Sequence, residues 1–436
     1  MVARLKNSET GTAAILAGAM IMTNVVALLT TIAFGRLLGV KGYGELAAIL
    51  STFIILSVPG AALQVATARE GALGRLGEGP QFATTLARWT KALLLLTAAT
   101  AVVSIGLRAQ IAGVIGVRQQ WAAAAVPPGA VLWILLSVQR GALQASRAYM
   151  TVGLSMIAEQ SARLILGAGL ALGGLSVTGA YLGTPLAMAV TSIVLGVTLS
   201  RRLGAPDADS VRHRLRTLTM SSQSAIVGLA LIAVLQNIDV IVAQHRFDGQ
   251  LAGTYAAAAV AAKVVVWVAI GIGFYLLPEA ARKHAANEDA RPVLFKALGL
   301  TAAVAAPCLL VYALFPELLL RLAFGPKYEG GARALFELGF AMALLSVCYL
   351  AVQLLLALRA TRFLYLLGAI ALAEPIVLLM LPGGGSINGF AATVLAIQAI
   401  AAVTSLAAAY RASAPPSGVP DRGSSTLQTP NRATSA

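Results

Sequence analysis

The sequence predicts an all-α integral membrane protein with about 12 transmembrane helices in two similar halves, and three observations lead to this prediction. The chain is 58% hydrophobic and only 11% charged, which leaves too little polar surface for a soluble protein. It contains apolar runs at regular intervals, each long enough to cross a bilayer. Its second half also repeats short segments of its first half.

The apolar runs place the helices. A helix needs about 20 mainly apolar residues to cross the hydrocarbon core of a membrane. The first run is too long for a signal peptide and lacks a small-x-small cleavage site, so we expect it to be retained. The predicted spans are 12–34, 46–68, 84–106, 121–139, 149–172, 177–199, 221–243, 254–277, 293–315, 334–357, 363–382 and 387–409.

The internal repeat divides the chain. A shift of about 209 positions places residues 35–48 over 244–258, with Gly44 on Gly253, and a shift of about 215 places 143–159 over 358–374. We therefore expect an N-terminal six-helix lobe over 1–200, a cytoplasmic linker over 201–220 and a C-terminal lobe over 221–410. The tail over 411–436 is rich in Ser, Thr and Pro, which predicts a disordered cytoplasmic segment.

The net charge of +15 has a one-sided distribution. Of the 32 Lys and Arg residues, 22 fall in segments on the side of the N-terminus, Arg140 among them, and 8 fall on the other side. Such an excess marks the cytoplasmic side of a membrane protein. We expect a multi-pass protein of the cell membrane with both termini in the cytoplasm, and the same distribution explains the charge without nucleic acid as a partner.

Two cations fall within predicted helices. Arg163 lies four residues after Glu159 and so on the same helix face, where the two could neutralise each other or bind a substrate or an ion. Lys263 has no acidic residue three or four positions away. Its partner must be the substrate or a carboxylate of another helix, for which Asp239, Glu159 and Glu374 are the candidates.

Further polar residues complete the candidate site. Asp239 and Glu374 are costly in a membrane and are candidates for ion coupling or for structural pairing, as is Glu159. Arg88 and Lys91, three apart on one face, could reach the head groups or form a basic mouth for an anionic head group. The polar residues expected to face neighbouring helices or a wet cavity are Asn24, Gln64, Gln236, Asn237 and Gln353.

Several catalytic signatures are absent from the sequence. There is no Walker A loop, HExxH, GxSxG or aspartate-rich metal motif. Cys308 and Cys348 fall in predicted helices and are interpreted as packing residues. We therefore expect a protein that is not an enzyme, with no cofactor and no metal site. Two halves with proline-interrupted helices and buried charges are typical of alternating-access transporters.

Four segments resemble one family: GRLLGVKGYGELAAI, RGALQASRAY, NIDVIVAQHRFDGQLAGTYAAAAVAAK and FGPKYEGGARAL. They are similar to the polysaccharide-transport family of Wzx-type flippases, whose superfamily also holds lipid II flippases and multidrug and toxin extruders. The resemblance implies two lobes in a V-shaped central cavity that opens to each side in turn. It implies a lipid-linked oligosaccharide as the substrate, carried on undecaprenyl pyrophosphate from the inner to the outer leaflet.

The resemblance also assigns roles. It implies that Arg163 and Lys263 meet the pyrophosphate, with Arg88 and Lys91 at the inner mouth, and that a polysaccharide polymerase or glycosyltransferases are candidate protein partners. The chain departs from the family pattern in having few aromatic residues in the predicted helices and an acidic residue beside the arginine. It also lacks the additional pair of helices typical of lipid II flippases.

Two alternatives stay open. The first is a cation-coupled multidrug or small-solute antiporter of the same fold, in which Asp239 and Glu374 would be the coupled carboxylates. The second is a membrane polysaccharide polymerase or sugar transferase. Such an enzyme would need a large outer loop with converging polar groups, and every outer connection predicted here is short.

Overall fold

The structure is a computed structural model that describes residues 9–206, 215–285, 288–381 and 385–413. The first eight residues, residues 207–214 of the expected linker and the expected tail beyond 413 lie outside the described residues. Within the described ranges the regular structure is helical throughout, which confirms the all-α prediction. The helices are α1 (Glu9–Ala72), α2 (Pro80–Gly106), α3 (Arg108–Ile115), α4 (Gln120–Ala124), α5 (Val126–Ala145), α6 (Tyr149–Leu170), α7 (Ser176–Leu203), α8 (Leu215–Ser221), α9 (Gln223–Arg246), α10 (Gly249–Ala262), α11 (Val264–Ala285), α12 (Arg291–Leu314), α13 (Pro316–Ala323), α14 (Ala332–Ala357), α15 (Phe363–Met380) and α16 (Ile387–Ala412).

Ten helical stretches in the described part of the chain are long and apolar enough to cross a membrane. Two of them, Leu16–Ala72 and Tyr149–Leu203, run for 57 and 55 residues. A straight helix of that length would measure roughly 80 Å, more than twice the hydrocarbon thickness of about 30 Å. Each must therefore contain two crossings, which gives the predicted total of about twelve.

The backbone reverses at residues with positive φ. In α1 the break is at Gly39, with a φ of 66°, and Gly35 and Tyr43 on either side of it both contact Phe324. Between α6 and α7 a single π-helical turn, Ala171–Leu175, ends at Ser176 with a φ of 46°. Beyond that turn the chain runs back antiparallel, so that α7 packs against α6 through its glycines.

The two halves of the chain meet where these hairpins turn. Gly44 and Gly253, which the repeat aligns, are in contact: a β-carbon on Gly44 would lie 2.9 Å from the Cα atom of Gly253. A β-carbon on Gly253 would overlap the carbonyl oxygen of Val40. Nearby, the Tyr328 hydroxyl donates to the carbonyl of Gly35 at 2.8 Å. We call this side of the bundle, defined by Gly35, Val40, Gly44, Gly253 and Tyr328, the closed end.

More contacts between the halves strengthen the closed end. Arg36 Nε donates to the carbonyl of Ala323 at 3.3 Å, and His245 Nε2 lies 2.9 Å from the carbonyl oxygen of Val114. Tyr43 packs on the Phe324 ring with centroids 5.2 Å apart. Backbone contacts through glycine bring the two halves into close packing at this end.

Replacement of Gly253 by Ala should open the closed end, because the added methyl group has no room beside Val40. With spin labels at the exposed positions Gln120 and Gln250, in a variant without native cysteines, double electron–electron resonance should show a new population at longer distance.

Gly330→Ala is the matched control, since no atom lies within 4 Å of a β-carbon built at that position. An unchanged distance distribution in Gly253→Ala would show that the contact between the two glycines does not hold the halves together.

Candidate functional site

The first half buries a carboxylate between two arginines. Glu159 Oε2 accepts a hydrogen bond from Arg140 Nη2 at 3.1 Å, and Glu159 Oε1 pairs with Arg163. Arg140 also donates to Ser155, from Nε to the hydroxyl at 3.1 Å and from Nη2 to the carbonyl at 3.0 Å. The side chains of Arg140 and Glu159 are 3% and 4% exposed, whereas that of Arg163 is 16% exposed. We call Arg140, Glu159 and Arg163 the arginine cluster.

The hairpin of α5 and α6 explains why Arg140 belongs to this cluster. Arg140 and Ser155 lie at similar distances from the turn at residues 146–148 and so reach the same depth. Arg140 was expected in a cytoplasmic segment outside the helices, whereas the structure buries it within α5. The predicted helix ended at residue 139, but the helix continues to Ala145 and carries Arg140 inside the bundle. Counting outward from the turn would have identified Arg140 as a neighbour of the buried carboxylate.

An aromatic ring lies beside both arginines. The centroid of Trp133 is 5.9 Å from Cζ of Arg140 and 5.8 Å from Cζ of Arg163, within the range of cation–π attraction. Gly60 of α1 makes room for the indole, since a β-carbon there would lie 2.8 Å from Trp133 Nε1. Trp133 was not singled out in the sequence, where few aromatic residues were noted in the predicted helices.

Tyr181 adds a hydroxyl near Arg163. The residue is fully buried and lies within electrostatic range of Arg163. Its hydroxyl has no hydrogen-bond partner among the described residues. With Arg140 neutralising Glu159, the cluster keeps a formal charge of one positive unit on Arg163, together with an unused hydroxyl donor. Such an arrangement can bind an anion.

The second half buries two carboxylates and one lysine. The Tyr255 hydroxyl donates to Asp239 Oδ2 at 2.6 Å, across the hairpin of α9 and α10. Lys263 Nζ donates a hydrogen bond to Asn237 Oδ1 at 2.8 Å. The carboxylate of Asp239 interacts electrostatically with the ammonium group of Lys263. Asp239, Asn237 and Tyr255 are 0% exposed and Lys263 is 7% exposed, so the whole group is inside the bundle.

Glu374 and Gln398 extend this group from α15 and α16. Gln398 Nε2 donates to the carbonyl of Leu235 at 2.7 Å and lies 3.5 Å from Glu374 Oε1. Glu374 is within electrostatic range of Asp239. We call Asp239, Glu374 and Lys263, with Asn237, Tyr255 and Gln398 around them, the carboxylate cluster. Tyr255 and Gln398 were missed in the sequence because a tyrosine or a glutamine in a helix gives no signal without its partner.

The carboxylate cluster has acceptors without donors. Asp239 Oδ1, Glu374 Oε2 and Gln398 Oε1 are buried and have no hydrogen-bond partner in the ranges that the structure describes. Leaving a buried acceptor unsatisfied costs about 1–3 kcal/mol. With both carboxylates ionised and Lys263 protonated, the formal charge is one negative unit. Three unsatisfied oxygens of this kind favour a cation or a proton.

The structure separates the predicted charged residues into two groups. Of the carboxylates expected as partners of Lys263, Glu159 belongs to the arginine cluster, and Asp239 and Glu374 belong to the carboxylate cluster. The hydrogen bond of Lys263 goes to an amide, that of Asn237. The amide nitrogen of Asn237 donates in turn to the carbonyl of Ala233 at 2.9 Å, so Asn237 holds Lys263 against the backbone of α9.

The other predicted residues differ in their burial. Arg88 is half-buried, with an Nη1 atom that is buried without a partner in the described part of the chain, and Lys91 is exposed. Asn24 is exposed, while Gln64 and Gln236 are half-buried. Gln353 is half-buried and donates to the hydroxyl of Tyr349 at 2.6 Å.

No family model matches the sequence, and no curated protein matches it. Solved structures do resemble the fold. An inward-facing multidrug resistance MATE family transporter of the MOP superfamily gives a TM-score of 0.75 at 14% identity, over 90% of this chain and 94% of that chain. The lipid II flippase MurJ in an inward closed conformation gives 0.71 at 11% identity, over 90% and 87%. An outward-facing MATE family transporter gives 0.64 at 15% identity, over 94% and 97%.

These likenesses extend over nearly the whole chain at identities that establish the fold alone. The protein is a multi-pass membrane protein with the helical fold of MOP-superfamily transporters.

Proposed function

We propose that the protein is a flippase that moves an undecaprenyl-pyrophosphate-linked oligosaccharide from the cytoplasmic to the outer leaflet of the cell membrane by alternating access. One observation carries the proposal: the arginine cluster keeps one uncompensated positive charge inside the membrane. The fold supports it, because structures of the same fold are described as multidrug transporters and as a lipid II flippase.

Arg140 and Arg163 divide two tasks between them. Arg140 makes three hydrogen bonds and neutralises Glu159, so the carboxylate stays compensated when Arg163 leaves it. Arg163 shares that carboxylate and is the more exposed of the two arginines. A phosphate can therefore replace Glu159 as the partner of Arg163, because Arg140 still neutralises Glu159. The acidic residue beside Arg163 is thus compatible with an anionic substrate.

A pyrophosphate is the anion that best fits this arrangement. Moving it through a low-dielectric region needs cationic partners, and a guanidinium can donate two parallel hydrogen bonds to one phosphate. The hydroxyl of Tyr181 is a further donor beside Arg163. The prenyl tail needs no polar site, because it can stay in the lipid.

Arg88 and Lys91 fit a role at the cytoplasmic mouth. The excess of cations on the side of the N-terminus favours a cytoplasmic location for that side. Lys91 is exposed, and Arg88 keeps a guanidinium nitrogen without a partner among the described residues. We assign these two side chains to the first contact with the anionic head group, and we assign Arg163 to the binding of pyrophosphate inside the bundle. Polymerases or glycosyltransferases remain the candidate protein partners.

The carboxylate cluster is the proposed site of a coupling cation. Its unsatisfied oxygens and its formal negative charge are complementary to a cation, and both carboxylates come from the second half. Binding of the ion there and of the substrate in the first half would let an ion gradient drive the change between the two open states. Glu159 is excluded from the ion role because two arginines already neutralise it.

The carboxylate cluster also favours one alternative. A cation-coupled multidrug or small-solute antiporter of the same fold would use Asp239 and Glu374 in the same way. Such an antiporter does not need a buried positive charge in the other half. The arginine cluster therefore supports an anionic cargo.

Arg163→Gln should lower translocation by at least about ten-fold, because a hydrogen bond to a charged group contributes about 1.5–3 kcal/mol. The measurement is the amount of lipid-linked oligosaccharide that accumulates on the inner leaflet, together with the polysaccharide at the cell surface. Arg163→Lys, which keeps the charge, should lose less.

The control is Arg333→Gln, since Arg333 is 74% exposed and pairs with Glu337 on the same helix. Normal surface polysaccharide in cells that carry Arg163→Gln would contradict the assignment of Arg163 to the substrate.

Arg140→Met should destabilise the protein by about 2 kcal/mol or more, because Glu159 Oε2 and the Ser155 hydroxyl lose the buried guanidinium that donates to them. Thermal unfolding of the purified protein in detergent measures the loss. Arg75→Met is the comparison: Arg75 pairs with Glu70, but its side chain is 64% exposed, so its removal should change stability little. Equal unfolding temperatures for the two variants would contradict a structural role for Arg140.

A further inference from the structure

We propose that Lys263 is a tethered cation that competes with the coupling ion for the carboxylate cluster. The inference rests on the ion site proposed above and adds to it an internal regulator of ion affinity. In the structure the ammonium group of Lys263 holds the Asn237 oxygen at 2.8 Å and lies within electrostatic range of Asp239. A cation that enters the cluster is repelled by the positive charge of Lys263.

The polar contacts of the cluster indicate where the ion would bind. Tyr255 donates a hydrogen bond to Asp239 Oδ2, and Gln398 Nε2 lies 3.5 Å from Glu374 Oε1. Asp239 Oδ1 and Glu374 Oε2 have no hydrogen-bond partner among the described residues. Lys263 forms no ion pair within 4.0 Å with either carboxylate in the described chain. Its ammonium group thus partly neutralises the cluster without occupying the free oxygens, and it reduces the attraction for a second cation.

The backbone at Lys263 gives the competition a structural consequence. Lys263 lies between α10, which ends at Ala262, and α11, which begins at Val264, and its helical φ and ψ of −63° and −15° make the two helices one continuous stretch, Gly249–Ile272. At its other end α10 contacts the first half through Gly253 and Val40. Tyr312 of α12 donates to the carbonyl of Ala261 at 2.9 Å, next to Lys263 in the chain. Lys263 therefore lies in a continuous helical stretch whose first residues contact the first half and whose middle is bonded to the second half.

Displacement of Lys263 would link the two clusters. When an ion binds, its positive charge repels the ammonium group of Lys263 and weakens the hydrogen bond to Asn237. A displaced ammonium group is available to a phosphate of the substrate, which is the role that the family resemblance implies for Lys263. By linkage, a bound anion that attracts Lys263 raises the affinity for the ion by the same factor.

The test measures binding of Na⁺ to the purified full-length protein, with radioactive Na⁺ as the probe. Lys263→Met and Lys263→Gln both remove the charge, and Gln can still donate a hydrogen bond to Asn237. Both variants should bind Na⁺ at least about ten-fold more tightly than the wild type, as expected for the loss of a nearby unit charge in a medium of intermediate dielectric. Lys263→Arg, which keeps the charge, should bind like the wild type. Elution as a single species and an unchanged unfolding temperature establish that each variant is folded.

Other outcomes separate the possible failures. If Gln behaves like the wild type and only Met differs, Lys263 acts through its hydrogen bond and the competition is overturned. If neither Lys263 variant changes the affinity for Na⁺ while Asp239→Asn weakens it, the ion site is supported and the proposed role of Lys263 is overturned. If neither the wild type nor the variants bind Na⁺ saturably, both the ion site and the inference are overturned. The flippase proposal itself is tested separately by the transport assay on Arg163.

Discussion

Compensation of charge inside the membrane is the constraint on which this structure depends. An ionised side chain in a low-dielectric interior is tolerated only with a partner, and the two halves of the protein meet that demand differently. In the first half two arginines share one carboxylate, and in the second half one lysine lies near two carboxylates and donates to Asn237. With every group ionised, the formal surplus is positive in the first half and negative in the second.

Hairpin geometry decides which side chains meet. Arg140 and Ser155 pair because they lie at similar distances from one turn, and Asp239 and Tyr255 pair across another. Partners separated by 15 and 16 residues along the chain are thus set by the position of a turn. A shift of one turn by a single residue would rotate one partner off the shared face by about 100° and would leave its charge unpaired.

Much of the fold follows from the sequence, and the composition of the site follows only in part. Twelve apolar runs are visible because each crossing needs its own length of apolar residues. The repeat aligns Gly44 with Gly253, and their contact is seen only in the structure. Glu159, Arg163, Asp239, Lys263 and Glu374 stand out because charge is rare in such helices. Arg140 was misplaced because its helix extends six residues beyond the predicted end.

The roles of the site residues depend on contacts between helices, which a linear pattern does not contain. Asn237 looked like an ordinary polar residue, yet it receives the hydrogen bond of Lys263. Trp133 was not recognised because its role depends on two guanidinium groups beside its ring. Arg140 belongs to the same helix, α5, and Arg163 comes from α6. Tyr181 and Gln398 matter through an atom that lacks a partner, and such an atom can be recognised only once its surroundings are known.

The contact between Gly44 and Gly253 bears on how such a two-part chain can diverge. In a dimer of two identical six-helix units, the same glycine would face its own copy across the two-fold axis. A single substitution would then introduce two methyl groups at a point with room for neither. Joining the units into one chain uncouples the two positions, so that Gly253 now lies against Val40 while Gly44 lies beside Gln244. Each copy can thereafter adapt to its own neighbours, and the opposite charges of the two halves are the kind of asymmetry that a strict dimer could not acquire.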